Sequence, residues 1–130
     1  RPDLLSDSLR KFLEYGRGLS AVDLIRSMNF IKDLKVEFNN FFNNVDAILI
    51  PTTLQKPFEF GKNDKTQADL TCVANLIESP AVSIPVGFSE DGLPIGLQFV
   101  GKKFDDLKIL EIAEYFDEET KYDMNVKSLS

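Results

Sequence analysis

Histidine is absent from the 130 residues, and cysteine occurs once, as Cys72. The first absence excludes a Ser-His-Asp triad, a Cys-His pair and a His-ligated zinc within this chain. The single cysteine excludes an internal disulfide and points to a reducing, cytoplasmic setting. No apolar run approaches the ~18 residues of a membrane span, and no signal peptide is visible. No run of five basic residues interrupts an acidic balance of net charge −6. Direct nucleic-acid binding and a membrane partner are therefore not expected. The glycines never form a GxxxxGK[ST] phosphate loop. The first residue is Arg1 rather than Met, so a preceding segment is expected in the gene product.

What is present is ordinary globular composition, 43% hydrophobic and 28% charged, enough for one domain with a real core. Leu5, Leu9, Phe12 and Leu13 have helical spacing over residues 3–15. Ser20 with Asp23 three residues on has the form of an N-cap and acidic N3. It opens a long amphipathic helix over 20–43, with Leu24, Met28, Ile31, Leu34, Phe38, Phe41 and Phe42 on one stripe. That stripe is read as core packing rather than a ligand platform. Residues 45–50, VDAILI, read as a buried strand stopped by Pro51, and 51–65 as a long loop. Residues 66–77 read as a helix with Leu70, Val73, Ala74 and Ile77 inward, which makes Cys72 a small buried hydrophobe.

Residues 81–101, AVSIPVGFSEDGLPIGLQFVG, read as a hairpin of strands 81–87 and 94–100, turning at Asp91-Gly92. Both strands are expected to be buried on both faces. Pro85 and Pro94 each remove a ladder donor and mark strand ends, bulges or a sheet edge. Residues 104–118 follow as a helix whose start carries Asp105 and Asp106, and 121–130 as a frayed tail. The fold class is α/β, in the order α-α-β-loop-α-β-β-α. Three strands make a small sheet, so further strands are expected from a preceding part of the chain or from another polypeptide.

Few residues carry recognisable chemistry. The acidic groups at Asp105-Asp106 and Asp117–Glu119 read as helix ends in water. Thr52 and Thr53 follow a buried strand at its C-terminal end, where α/β sheets present ligand-contacting groups. Turn bonding is the plainer account of the pair. Asn75 lies on a partly apolar helix, where a buried amide ordinarily bonds nearby backbone.

Several stretches together resemble amidase signature enzymes. SPAVSIPVGFSEDGLPIGLQFVG fits that family's PA-x-S-x-P-x-G, turn, G-x-P-x-G-x-Q-x-x-G pattern. The matching residues are Pro80, Ala81, Ser83, Pro85, Gly87, Gly92, Pro94, Gly96, Gln98 and Gly101. VDAILIPTT resembles its D-x-x-x-x-P-T element through Asp46, Pro51 and Thr52. LTCVANLIESP resembles its FT-x-x-x-N-x-x-G-x-P helix through Thr71, Asn75 and Pro80, with Glu78 or Ser79 where glycine is usual. GRGLSAVDLIRSM resembles its GR-x-LSA-x-D segment. The resemblance covers most of residues 10–120, in order.

The resemblance implies the C-terminal part of the amidase signature fold, a mixed sheet wrapped by helices, over residues 1–120. It implies hydrolysis of a small carboxylic amide through a Ser-Ser-Lys acyl-enzyme mechanism. The serines and lysine belong to an N-terminal portion whose signature this sequence lacks. No catalytic residue is therefore assigned here, no cofactor or metal is expected, and the chain alone should be inactive. Thr52, Thr53 and Asn75 are placed in the vicinity of the substrate pocket. The partner implied is that N-terminal portion or a second subunit, and a homo-oligomer is compatible. The family also holds the A subunit of glutamyl-tRNA amidotransferase, a branch that often has Asp where Ala68 stands. That departure tilts toward a general amidase. A non-catalytic, truncated or split homologue that binds a partner is the alternative.

Overall fold

The structure, a computed structural model, describes residues 4–62 and 66–122. The elements are α1 (Asp7–Arg17), α2 (Ala21–Phe41), β1 (Ile48–Pro51), α3 (Thr71–Ile77), β2 (Ala81–Phe88), β3 (Pro94–Val100) and α4 (Asp106–Thr120). The expected α/β order is the observed order. The chain divides into two compact units, Arg1–Asp33 and Leu34–Ser130, with α2 running across the boundary.

In the first unit both helix starts are capped by serine. Ser6 Oγ accepts from Leu9 N at 3.3 Å. Ser20 Oγ accepts from Asp23 N at 3.1 Å and donates to the Asp23 carboxylate at 2.6 Å. Each serine thereby satisfies an amide that the first helical turn leaves without a partner. Neither α1 nor α2 has a buried residue. Leu9, Phe12 and Leu13 recur at helical spacing yet lie exposed.

The second unit is built around an antiparallel sheet in the order β1-β3-β2. Alternation along β3 sends Phe99 to one face and Val100 to the other. On the first face Phe99 packs with Ile109 and Ala113 of α4, joined by Val82, Ile84 and Phe116. The Phe99 and Phe116 rings meet edge-on at 5.4 Å. On the second face Val100 packs with Phe42, at the end of α2, and with Ala74 and Ile77 of α3, joined by Ile48 and Ile50. Val100 and Ile109 are each 1% exposed, and burying such side chains fully stabilises by about 1.5–3 kcal/mol apiece. Gly101 makes the close approach of α4 feasible: a Cβ there would lie 2.1 Å from Ile109 Cγ1.

The hairpin turns at Gly92, φ 77°, where Gly92 N donates to Ser89 O at 2.9 Å. Pro94 opens β3, and the register slips between Pro85 and Gly87. Both prolines thus sit where a missing amide does not interrupt the ladder.

Five expectations need correction. Of the 20–43 stripe expected to pack into a core, only Phe42 is buried, Ile31, Leu34 and Phe38 are half-buried, and Leu24, Met28 and Phe41 are exposed. β2 is an edge strand, and its positions Ala81, Ser83 and Pro85 are exposed. It is buried on one face only, because α4 covers the Val82–Ile84 side while the opposite core is centred on β1 and β3. Cys72 is exposed, its thiol donating to Asp69 O at 3.2 Å. α3 is short and buries Ala74 and Ile77, so position 72 faces outward. The helix expected over 66–77 begins at Thr71, after turns, and the strand expected over 45–50 runs 48–51. The tail expected to fray lies outside the described residues beyond Tyr122, as does the 63–65 part of the long loop.

Candidate functional site

Thr52 follows directly from β1. Its amide donates to Gly96 O at 2.9 Å, which extends the β1–β3 ladder by one residue. Its hydroxyl lies 2.6 Å from Ser83 Oγ on β2. The two hydroxyls come from the outer strands and meet across the middle one. This is feasible because residue 96 has no side chain: a Cβ there would lie 2.9 Å from Thr52 Oγ1 and 3.3 Å from Ser83 Oγ. Beside them Gln98, 3% exposed, donates from Nε2 to Pro51 O at 3.4 Å. That bond satisfies a polar group whose burial would otherwise be costly.

Thr53 points elsewhere. Its hydroxyl donates to Gln55 O at 2.7 Å, closing a small turn. With Pro51, Lys56, Pro94, Ile95 and Gly96 it lines a cleft of about 190 Å³. Lys56 is ion-paired to Asp91 in the hairpin turn. Thr66 donates to the Gln55 side chain at 3.1 Å, which ties the far end of the loop to this wall.

Asn75 is exposed on α3, and among the described residues no hydrogen bond joins it to either threonine. Thr52 and Thr53 stand at the same end of the sheet with their hydroxyls bonded to different partners, and Asn75 is not bonded to them. Ser83 and Gly96 were missed as site residues, although both stand in the PA-x-S-x-P and G-x-P-x-G strings. The signal was a serine and a glycine on neighbouring strands, which only the register converts into a contact.

The hydroxyl pair can donate and accept hydrogen bonds. Among the described residues each lysine ammonium with a bonded partner takes a carboxylate or the Asn43 amide oxygen, never a hydroxyl. Thr52 and Ser83 are equipped to orient a bound group through hydrogen bonds. Among the described residues no group of three or more cysteine, aspartate or glutamate side chains could hold a metal. No helix there is long and apolar enough to cross a membrane.

A second cluster lies where α3 ends. Glu78 caps the helix in the left-handed region, φ 56° and ψ 39°. Its two carboxylate oxygens are taken separately, by Lys35 of α2 at 2.6 Å and by Lys103 after β3. The Lys103 hydrogen bond, then that of Lys35, holds the Glu78 carboxyl at about 2, below the ordinary 4.5. Position 78 is one of the two places where the resemblance expects glycine, and the left-handed backbone is the reason glycine suits it.

Residues 1–110 match the family model described as Amidase. The A subunit of the mitochondrial glutamyl-tRNA(Gln) amidotransferase of Homo sapiens is 43% identical over 108 residues, covering 72% of this chain and 20% of that protein. Its counterpart in Dehalococcoides mccartyi is 48% identical over 86 residues, covering 62% of this chain and 18% of that protein. Among solved structures, the A subunit of the Thermotoga maritima glutamyl-tRNA(Gln) amidotransferase superposes with a TM-score of 0.73 at 28% identity, over 96% of this chain and 32% of that one. The present chain spans about a fifth of the length of the curated relatives it matches.

Proposed function

Because the chain belongs to the Amidase family, we propose that it forms the C-terminal portion of an enzyme that cleaves carboxylic amides. The family match over residues 1–110 carries this reading. A Ser-Ser-Lys set outside these residues supplies the chemistry. The lysine takes a proton by way of one serine, the other serine attacks the amide carbonyl, and ammonia or an amine departs. Water then releases the acid.

In this reading Thr52 and Thr53 stand near the acyl pocket, where the end of a strand offers hydroxyls and a cleft. Asn75, exposed on α3, is placed in the same vicinity. The remainder of the enzyme, as the same polypeptide or a second subunit, is the partner. The setting is cytoplasmic, and a homo-oligomer is compatible.

The names of the relatives favour the amidotransferase branch over a general amidase. Their identity of 43–48% outweighs the single departure at Ala68. The test is ammonia release from glutamine and from a panel of small amides, by the native polypeptide carrying this chain. Release from glutamine alone supports the amidotransferase branch, and release across the panel supports a general amidase. A native product of this length that stays inert and captures a second protein would replace both with the partner-binding alternative.

A further inference from the structure

A cleft of about 240 Å³ opens in the Leu34–Ser130 unit where α2, the end of α3 and the β3–α4 link meet. Phe38, Phe42 and Ile77 form its apolar wall, and Lys35, Lys102, Lys103 and Glu78 line the rest of its charged rim. In a chain of net charge −6, this rim sets three ammonium groups against one carboxylate. Glu78 occupies Lys35 and Lys103. Lys102 has a neutral partner, the Asn43 amide oxygen at 3.4 Å. The backbone of Glu78 is left-handed, a conformation that costs a residue with a side chain roughly 1 kcal/mol. Glycine would remove that strain, and it would also leave the rim without its counter-ion.

We propose that this cleft binds a small organic phosphate, its phosphate at Lys102 and Lys103 and its apolar part against Phe38, Phe42 and Ile77. The uncompensated rim charge matches a phosphate monoester, which carries about −1.5 to −2 at neutral pH. A carboxylate would bring half of that, and Glu78 already fills the carboxylate role. Lysine binds phosphate as a point charge, without the fixed fork that arginine would impose. The cleft lies below the ~300 Å³ of larger ligand sites, which selects a small ligand. Glu78 competes for Lys103, so removing its charge tightens binding. The proposal does not depend on the amide reading.

The probe is phenyl phosphate, titrated calorimetrically into the native polypeptide carrying this chain, with inorganic phosphate, benzoate and a short oligonucleotide as separate arms. Saturable phenyl phosphate binding is expected, about tenfold weaker in Lys102→Met, the loss of one close ion contact. It is expected to be several-fold tighter in Glu78→Gln and unchanged in Lys56→Met. Inorganic phosphate should bind more weakly, since it leaves the aromatic wall unused. Lys102→Met leaves both Glu78 ion pairs in place, so it tests the site without the folding risk of Lys103→Met. Thermal unfolding confirms that each variant is folded. No saturable binding to wild type and Glu78→Gln at about 10 mM would overturn the proposal. So would an affinity untouched by Lys102→Met, benzoate binding as tightly as phenyl phosphate, or tighter binding of the oligonucleotide.

Discussion

Both units of the chain carry apolar faces, and those faces have opposite fates. In Leu34–Ser130, the sheet has apolar side chains on both faces and a helical cover for each, and Val100 and Ile109 are all but sealed. In Arg1–Asp33, α1 has a strongly one-sided apolar pattern, and Phe12 is 71% exposed. Periodicity specifies a helix and the direction its apolar face will take. It does not supply the surface that face lies on. Burial, and the stability that comes with it, requires a second element at the right distance. The sheet of the second unit has one on each side.

The sharpest way to break this contrast is at its best-buried point. Ile109→Ala removes a side chain wedged between Phe99 and the backbone of Gly101. The expected loss is about 2–5 kcal/mol, typical of a buried isoleucine truncated to alanine, read by urea unfolding of the 130-residue chain. A loss below ~1 kcal/mol would mean that α4 is not held to the sheet by this contact.

Gly96→Val is the next largest. The new side chain would meet Thr52 Oγ1 and Ser83 Oγ, which flank the position. Separating those hydroxyls and displacing the Thr52 end of β1 should cost about 1–3 kcal/mol, as overpacking does. If the hydroxyl pair orients substrate in the native polypeptide, amide hydrolysis falls further than stability explains. Ser83→Ala, which adds no bulk, then shifts KM or kcat without a matching change in Tm. An unchanged rate in Ser83→Ala would remove the pair from the site.

These outcomes also mark what the sequence made legible. The element order and the proline positions could be read directly, because each rests on local chemistry: a capping serine, a ring without an amide, a glycine in a turn. The Thr52–Ser83 contact could not, because it depends on the register Ser83↔Gln98 and Ile50↔Gln98 across β3. Strand register is a non-local property. Cys72 was misplaced because a helix expected over 66–77 is in fact Thr71–Ile77, a length that buries only Ala74 and Ile77. The one-sided burial of β2 was missed because an apolar run does not state whether its strand is central or at an edge. Glu78 stood out as a departure from a glycine pattern, but its two lysines lie 43 and 25 residues away.

A smaller effect comes from that Glu78 triad, which ties three segments of the second unit together. Its folded carboxyl, at about 2, lies below the ordinary 4.5. The stabilisation it gives is therefore complete above about 4.5 and is lost as pH falls through that range toward 2. The group is solvent-exposed, so the effect is small and screened by salt. Wild type should lose Tm over this window faster than Glu78→Gln, and added salt should narrow the difference. Parallel acid curves would mean that the two ion pairs contribute nothing to folding.

The smallest expected effect tests the first unit. Phe12→Ala removes a large aromatic side chain, a change that in a core costs about 3–5 kcal/mol. At an exposed position with no buried neighbour on its own helix, the expected change in the 130-residue chain is within about 0.5 kcal/mol. The alanine even has the higher helix propensity. In the longer native polypeptide the same substitution reports whether anything covers α1. A loss there of about 2 kcal/mol or more, absent from the 130-residue chain, would show that Phe12 is buried by residues outside these 130. A near-zero change in both would mean that the apolar face of α1 stays in water. A large loss in the short chain itself would erase the distinction between the two units, since Phe12 would then be as well packed as Ile109.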